Sequence, residues 1–143
     1  MPAPAATCSF WTRRVTTFKG RAISPLITPV RTLQINSPAL GGAKDAQVPQ
    51  AAVGLNPTLT WTAPATGTPD LYRVTMVLKN AGATPDVAVA TFDTTETQLV
   101  VPPVLLTVNK PVYFIIRAQQ KVGPIVAGTP QGWADAFTDI ITP

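Results

Sequence analysis

The chain has 143 residues, the size of one ordinary domain, with 16 prolines, 9 glycines and charged residues at only 13%, about half the usual share. It holds no histidine and one cysteine, Cys8. This excludes Ser-His-Asp and Cys-His catalysis, an internal disulfide, and metal sites built on histidine or paired cysteines. The formal charge of +4 resides in residues 1–31, which carry five basic residues and no acid, whereas the six basic and seven acidic residues of the remainder nearly cancel.

Plentiful β-branched residues and few Glu and Lys point to an all-β chain. In chain order, "SFWTRRVTTFK" alternates as a strand and sets Phe10, Arg14 and Phe18 on one side against Trp11, Arg13 and Lys19 on the other. Cations interleaved with aromatic rings also suit an arm that binds nucleic acid, an anionic polysaccharide or an acidic membrane surface. The strand reading takes precedence, because Lys and Arg on exposed strands block edge-to-edge association. We therefore expect a basic N-terminal extension over residues 1–28 and a globular unit over 29–143. There is no apolar run of 18 residues for a membrane span. The first residues lack the apolar stretch of a signal peptide, so export would rest on a signal outside this chain.

"SPLITPVRTLQIN" reads as an edge strand with Arg31, Leu33 and Ile35 on one side and Val30, Thr32 and Gln34 on the other. "SPALGGAKDAQVPQAAVGLNP" reads as a long loop of which "QAAVGL" can pair as a strand extension. "TLTWTAP" places Leu59, Trp61 and Ala63 inward. "LYRVTMVLKN" sends Tyr72, Val74, Met76 and Leu78 inward and Leu71, Arg73, Thr75 and Val77 outward. "VAVATFDT" and "TQLVVP" follow, then the most apolar strand, "VYFIIRAQQ". "ADAFTDIITP" closes the chain with Phe137, Asp139 and Ile141 opposite Ala136, Thr138 and Ile140. No segment repeats apolar residues at helical spacing over three turns.

The order of these signals resembles a fibronectin type III domain among the immunoglobulin-like sandwiches. The features that carry it are the tryptophan strand "LTWTAP", the tyrosine strand "LYRVTM", the leucine strand "TQLVVPPVLL", the strand "VYFIIRA" and the closing "AFTDIIT". The resemblance implies an antiparallel β-sandwich of about seven strands with an N-terminal strand-like extension. Aligned on Ala118, the sixth strand puts Val112, Phe114 and Ile116 on the core face. Tyr113 falls one place after the family's tyrosine and points outward unless a bulge restores it.

In that register Leu71, Arg73, Val77, Tyr113, Ile115 and Arg117 share an outer sheet face richer in large apolar groups than solvent tolerates, which marks a partner-binding surface. The alternative is that the N-terminal segment folds back over it. Trp61 belongs to the core. Trp133, beside a glycine, is the candidate exposed ring for stacking on a sugar or anchoring a protein contact, with a cap on the sandwich as the structural alternative.

The acids Asp45, Asp70, Asp86, Asp93, Glu96, Asp135 and Asp139 fall mainly in expected turns, and no two are marked as a catalytic pair. Neither a calcium set from Asp70, Asp86 and Asp93 nor a phosphate loop at "ALGGA" has the required spacing. We expect no cofactor, metal or catalytic residue. The expected function is a structural or protein-interaction module of an extracellular or surface assembly such as a fibre, surface layer or virion, with self-association into a homo-oligomer. Carbohydrate binding, or binding of anionic polymer through the arm, is the alternative.

Overall fold

The computed structural model describes the backbone of residues 10–13 and residues 25–120 and 132–143; Arg14, Phe18 and Lys19 of the expected arm lie outside them. The described residues form β1 (Phe10–Arg13), β2 (Arg31–Ser37), β3 (Gly42–Asp45), β4 (Gln50–Ala51), β5 (Thr58–Thr62), β6 (Leu71–Leu78), β7 (Val87–Thr94), β8 (Gln98–Val100), β9 (Val112–Gln120), β10 (Gly132–Phe137) and β11 (Ile141–Thr142). Two single-turn 3-10 segments, Pro38–Leu40 and Pro103–Leu105, each begin at a proline, whose ring removes a ladder donor. The chain is all-β.

Four strands make one sheet in the order β3-β2-β5-β8. The other sheet is centred on β9, which pairs with β6 on one side and with β10 and β11 on the other; β7 lies outside β6, β1 outside β10 and β4 outside β11. All pairings are antiparallel except the two-residue contact of β4 with β11. β1 lies against β10, with Phe10 in register with Asp135 and Arg13 with Gly132.

The sheets share one core. Leu33, Ile35, Leu59 and Trp61 from the smaller sheet meet Tyr72, Val74, Met76, Val112, Phe114, Ile116, Ala118, Ala134, Ala136 and Ile141 from the larger. Trp61 and Tyr72 meet edge to face at 5.5 Å and 66°, an arrangement aromatic quadrupoles favour. Val112, Phe114, Ile116 and Ala118 all point inward and Tyr113 does not, so no bulge moves the tyrosine.

Elsewhere a bulge does change the expected faces. Arg31 pairs with Thr62 and Gln34 with Thr60, so Thr32 and Leu33 together oppose Trp61, and Thr32 adopts φ 49. One extra residue turns every side chain before it to the other face. Val30 is therefore buried with Leu33, while Arg31 is exposed and donates from Nε to the Ala63 carbonyl. Ala63 lies past the end of β5 and is exposed, contrary to expectation.

The closing segment is likewise two strands rather than one. Thr138 both donates its N–H to the Phe114 carbonyl and accepts the Phe114 N–H on its hydroxyl, after which Asp139 and Ile140 cross over and Ile141, not Ile140, enters the core. The long loop after β2 contains β3 and β4, and the pairing of Gln50 and Ala51 follows the expected "QAAVGL" extension. Ile27, ahead of the boundary expected at 28–29, is 2% exposed and belongs to the core.

Candidate interaction face

Strand register lines up side chains across the outer face of the larger sheet, because directly paired residues of adjacent strands project to the same side. Asp135 on β10 pairs with Arg117 on β9, Arg117 with Arg73 on β6, and Arg73 with Asp93 on β7. The result is one row with the charge order minus, plus, plus, minus. Each arginine is held by a carboxylate at the row's end. Arg117 donates from Nε and Nη2 to Asp135 at 2.7 Å each, and Arg73 donates the same way to Asp93 at 2.8 Å each. The two bidentate forks point away from one another, which offsets the repulsion of neighbouring guanidinium groups.

The electrostatics follow. Hydrogen bonding to Asp93 raises Arg73, and the same bond holds the Asp93 carboxyl below its ordinary value. Hydrogen bonding to Asp135 raises Arg117, against partial burial and the Coulombic push of Arg73. The row is neutral overall, so the face carries no net attraction for a polyanion.

On one side of the row, Trp133, Gln119 and Leu71 align across β10, β9 and β6; on the other, Phe137, Ile115, Thr75 and Thr91 do so from β10 to β7. The Arg117 guanidinium lies 5.6 Å from the centroid of Trp133, within cation–π range. Trp133 is therefore a half-buried member of the sheet face. Beyond Ile115, Tyr113 pairs with Val77. Burial raises the Tyr113 phenol, with a further contribution from the nearby Asp86.

Leu71, Arg73, Tyr113, Ile115 and Arg117 lie together on this half-buried face. Val77 sits in the expected register but is only 5% exposed, so it offers little to a partner. Tyr113 and Ala88 flank it in the ladder, next to a register shift in β7 that leaves Val89 between paired neighbours, and such a bulge sharpens the local twist. Asp93 and Asp135, which fall within the expected strands "VAVATFDT" and "ADAFTDIITP", complete the row. Their signal was "TFDT" and "WADAF", where the acid occupies an alternating outer position, but their partners depend on register between strands. Phe10, Trp11 and Arg13 lie in β1, of which the backbone is described.

A separate depression of about 420 Å³ at the end of β2 is lined by Asn36, Ser37, Pro38, Gly41, Gly42, Asn56 and Thr58. It has no acid or base in its wall. Among the described residues no three His, Cys, Asp or Glu side chains cluster as a metal site, and no helix is long and apolar enough to cross a membrane. Comparison with protein-family models, curated proteins and solved structures found no match.

Proposed function

We propose that the chain is a non-catalytic, fibronectin type III-like interaction module of a surface or extracellular assembly, and that it meets a partner protein through the outer face of the larger sheet. The carrying observation is the neutral Asp135, Arg117, Arg73, Asp93 row bordered by Trp133, Leu71, Ile115, Phe137 and Tyr113. Trp, Tyr and Arg are the residues that dominate binding at the centres of protein interfaces. The paired arginines are already oriented, so little side-chain freedom is lost when a partner covers them. Trp133 lies against Arg117, which favours a mixed protein contact over a bare ring for a sugar. The fibronectin-like reading is supported by the two-sheet strand order and by Trp61 and Tyr72 meeting in one core.

The test compares proteins cross-linked to the full chain with those cross-linked to Ile115→Asp and Trp133→Ala variants of unchanged circular dichroism. Loss of the same partner from both variants is the expected result. A partner set unchanged by either substitution would remove this face from the account.

A further inference from the structure

The molecule guards its sheet edges unequally. Among the described residues three edge strands are short: β3 has four residues and includes Lys44 and Asp45, β8 has three and β4 has two. Shortness and charge are the usual means of keeping an edge from pairing with another chain. β7 has neither. It runs for eight residues, Val87–Thr94, and among the described residues pairs only with β6. Its sequence, VAVATFDT, contains no Lys, Arg or Pro. Its one charged residue, Asp93, is bound by Arg73 on the strand beside it. Val87 and Val89 are 50% and 45% exposed, and the uncharged stretch from Val87 to Thr91 has the β-branched, small-residue makeup of self-pairing strands.

We infer that β7 is a self-association edge, on which β7 of a second copy of this chain pairs antiparallel about a two-fold axis normal to the sheet. The strand's composition favours a like strand as occupant, and charge selects the direction. An antiparallel pair about the strand's midpoint puts the two Asp93 carboxylates at opposite ends and brings the uncharged middles together, whereas a parallel stack sets the carboxylates side by side. Each strand also presents main-chain donors and acceptors to the other, which is how extended segments add to a sheet. The single bulge lies near Val89; the pairs from Tyr72–Thr94 to Met76–Ala90 run without a shift, leaving a regular stretch to template the partner. Because the axis is normal to the sheet, the outer faces of the two copies lie on the same side. This edge is distinct from the face proposed above and does not require it.

Sedimentation of the full chain over a hundred-fold range of concentration tests the inference, with amide exchange as a second readout. Expected are a rise from one to two chain masses and slowed exchange confined to residues 87–94 at high concentration. Val89→Lys should restore the single-chain mass, since the substituted position is exposed and a lysine on an edge strand blocks pairing, whereas Ile115→Asp on the outer face should still dimerise. A single-chain mass throughout would overturn the proposal, as would a dimer that Ile115→Asp abolishes and Val89→Lys preserves. If Val89→Lys does not fold, the exchange experiment on the unsubstituted chain decides: β7 amides whose rates ignore concentration overturn it.

Discussion

Ser37 is buried at the end of β2, and among the described residues neither its Oγ nor the indole N–H of Trp61 has a hydrogen-bond partner. A buried hydroxyl that has lost water without gaining a partner costs folding free energy, while a methyl group of similar size does not. Ser37→Ala should therefore raise stability by about 1 kcal/mol, measured by urea denaturation. A loss of stability would show that the hydroxyl has a partner in solution. Trp61 admits no such clean substitution, because truncating the ring opens a cavity between the sheets whose cost exceeds that of the orphaned N–H. The two residues separate what a residue's identity does from what its surroundings do. "LTWT" announces a buried tryptophan, but nothing local announces whether its nitrogen finds an acceptor.

At the scale of elements, the ion-paired row joins four strands, and its two halves differ in burial. The Asp135 side chain is 12% exposed, whereas the Arg73 and Asp93 side chains are about equally wet, at 43% and 44%. Arg117→Met strands a nearly buried carboxylate and should cost about 2 kcal/mol, below the range for a fully buried pair because the guanidinium is partly in water. Arg73→Met should cost about 0.5 kcal/mol, as exposed pairs do. A reversed order in urea denaturation would contradict the assigned burial. The β6–β7 hairpin also fixes the acid limb of stability. Asp93 is lowered first by its bond from Arg73, and Asp86 first by the backbone N–H of Asn80, with Lys79 contributing. Both carboxyls thus have folded values below their unfolded ones. Their ionised forms stabilise the fold above the unfolded value near pH ~4, and the contribution is lost as pH falls through the folded values. Thermal melts should show an acid limb that becomes shallower in Asp86→Asn with Asp93→Asn, and an unchanged slope would dissociate these groups from it.

For the whole molecule, the sheets were legible wherever a period of two runs unbroken. Strands β6 and β9 show it, with Tyr72, Val74, Met76 and Val112, Phe114, Ile116 inward. Legibility failed where one residue is added: at Thr32 and across residues 138–140. There the face is chosen by pairing with a distant strand, and a local pattern contains no trace of that choice. Ahead of β2, the prolines of "SPLITP" mark an irregular segment but not what it packs against. Thr28 donates its N–H to Thr66 and accepts the Thr66 N–H on its hydroxyl, which ties this segment to the turn after β5. That turn has no room to yield, because a Cβ on Gly67 would lie 2.6 Å from the Leu26 carbonyl oxygen at φ +86. The segment closes one end of the core beneath Gly67, so two truncations should behave differently. Removing residues 1–24 leaves Ile27 in place and should preserve the cooperative melt and the near-ultraviolet signal of the Trp61–Tyr72 pair. Removing residues 1–28 takes away a fully packed isoleucine and both Thr28 bonds, and should cost a further amount of about 2–5 kcal/mol, the cost of emptying a buried aliphatic site. Equal stability of the two truncated chains in urea would mean that the domain begins after Thr28 and that Ile27 contributes nothing to its core.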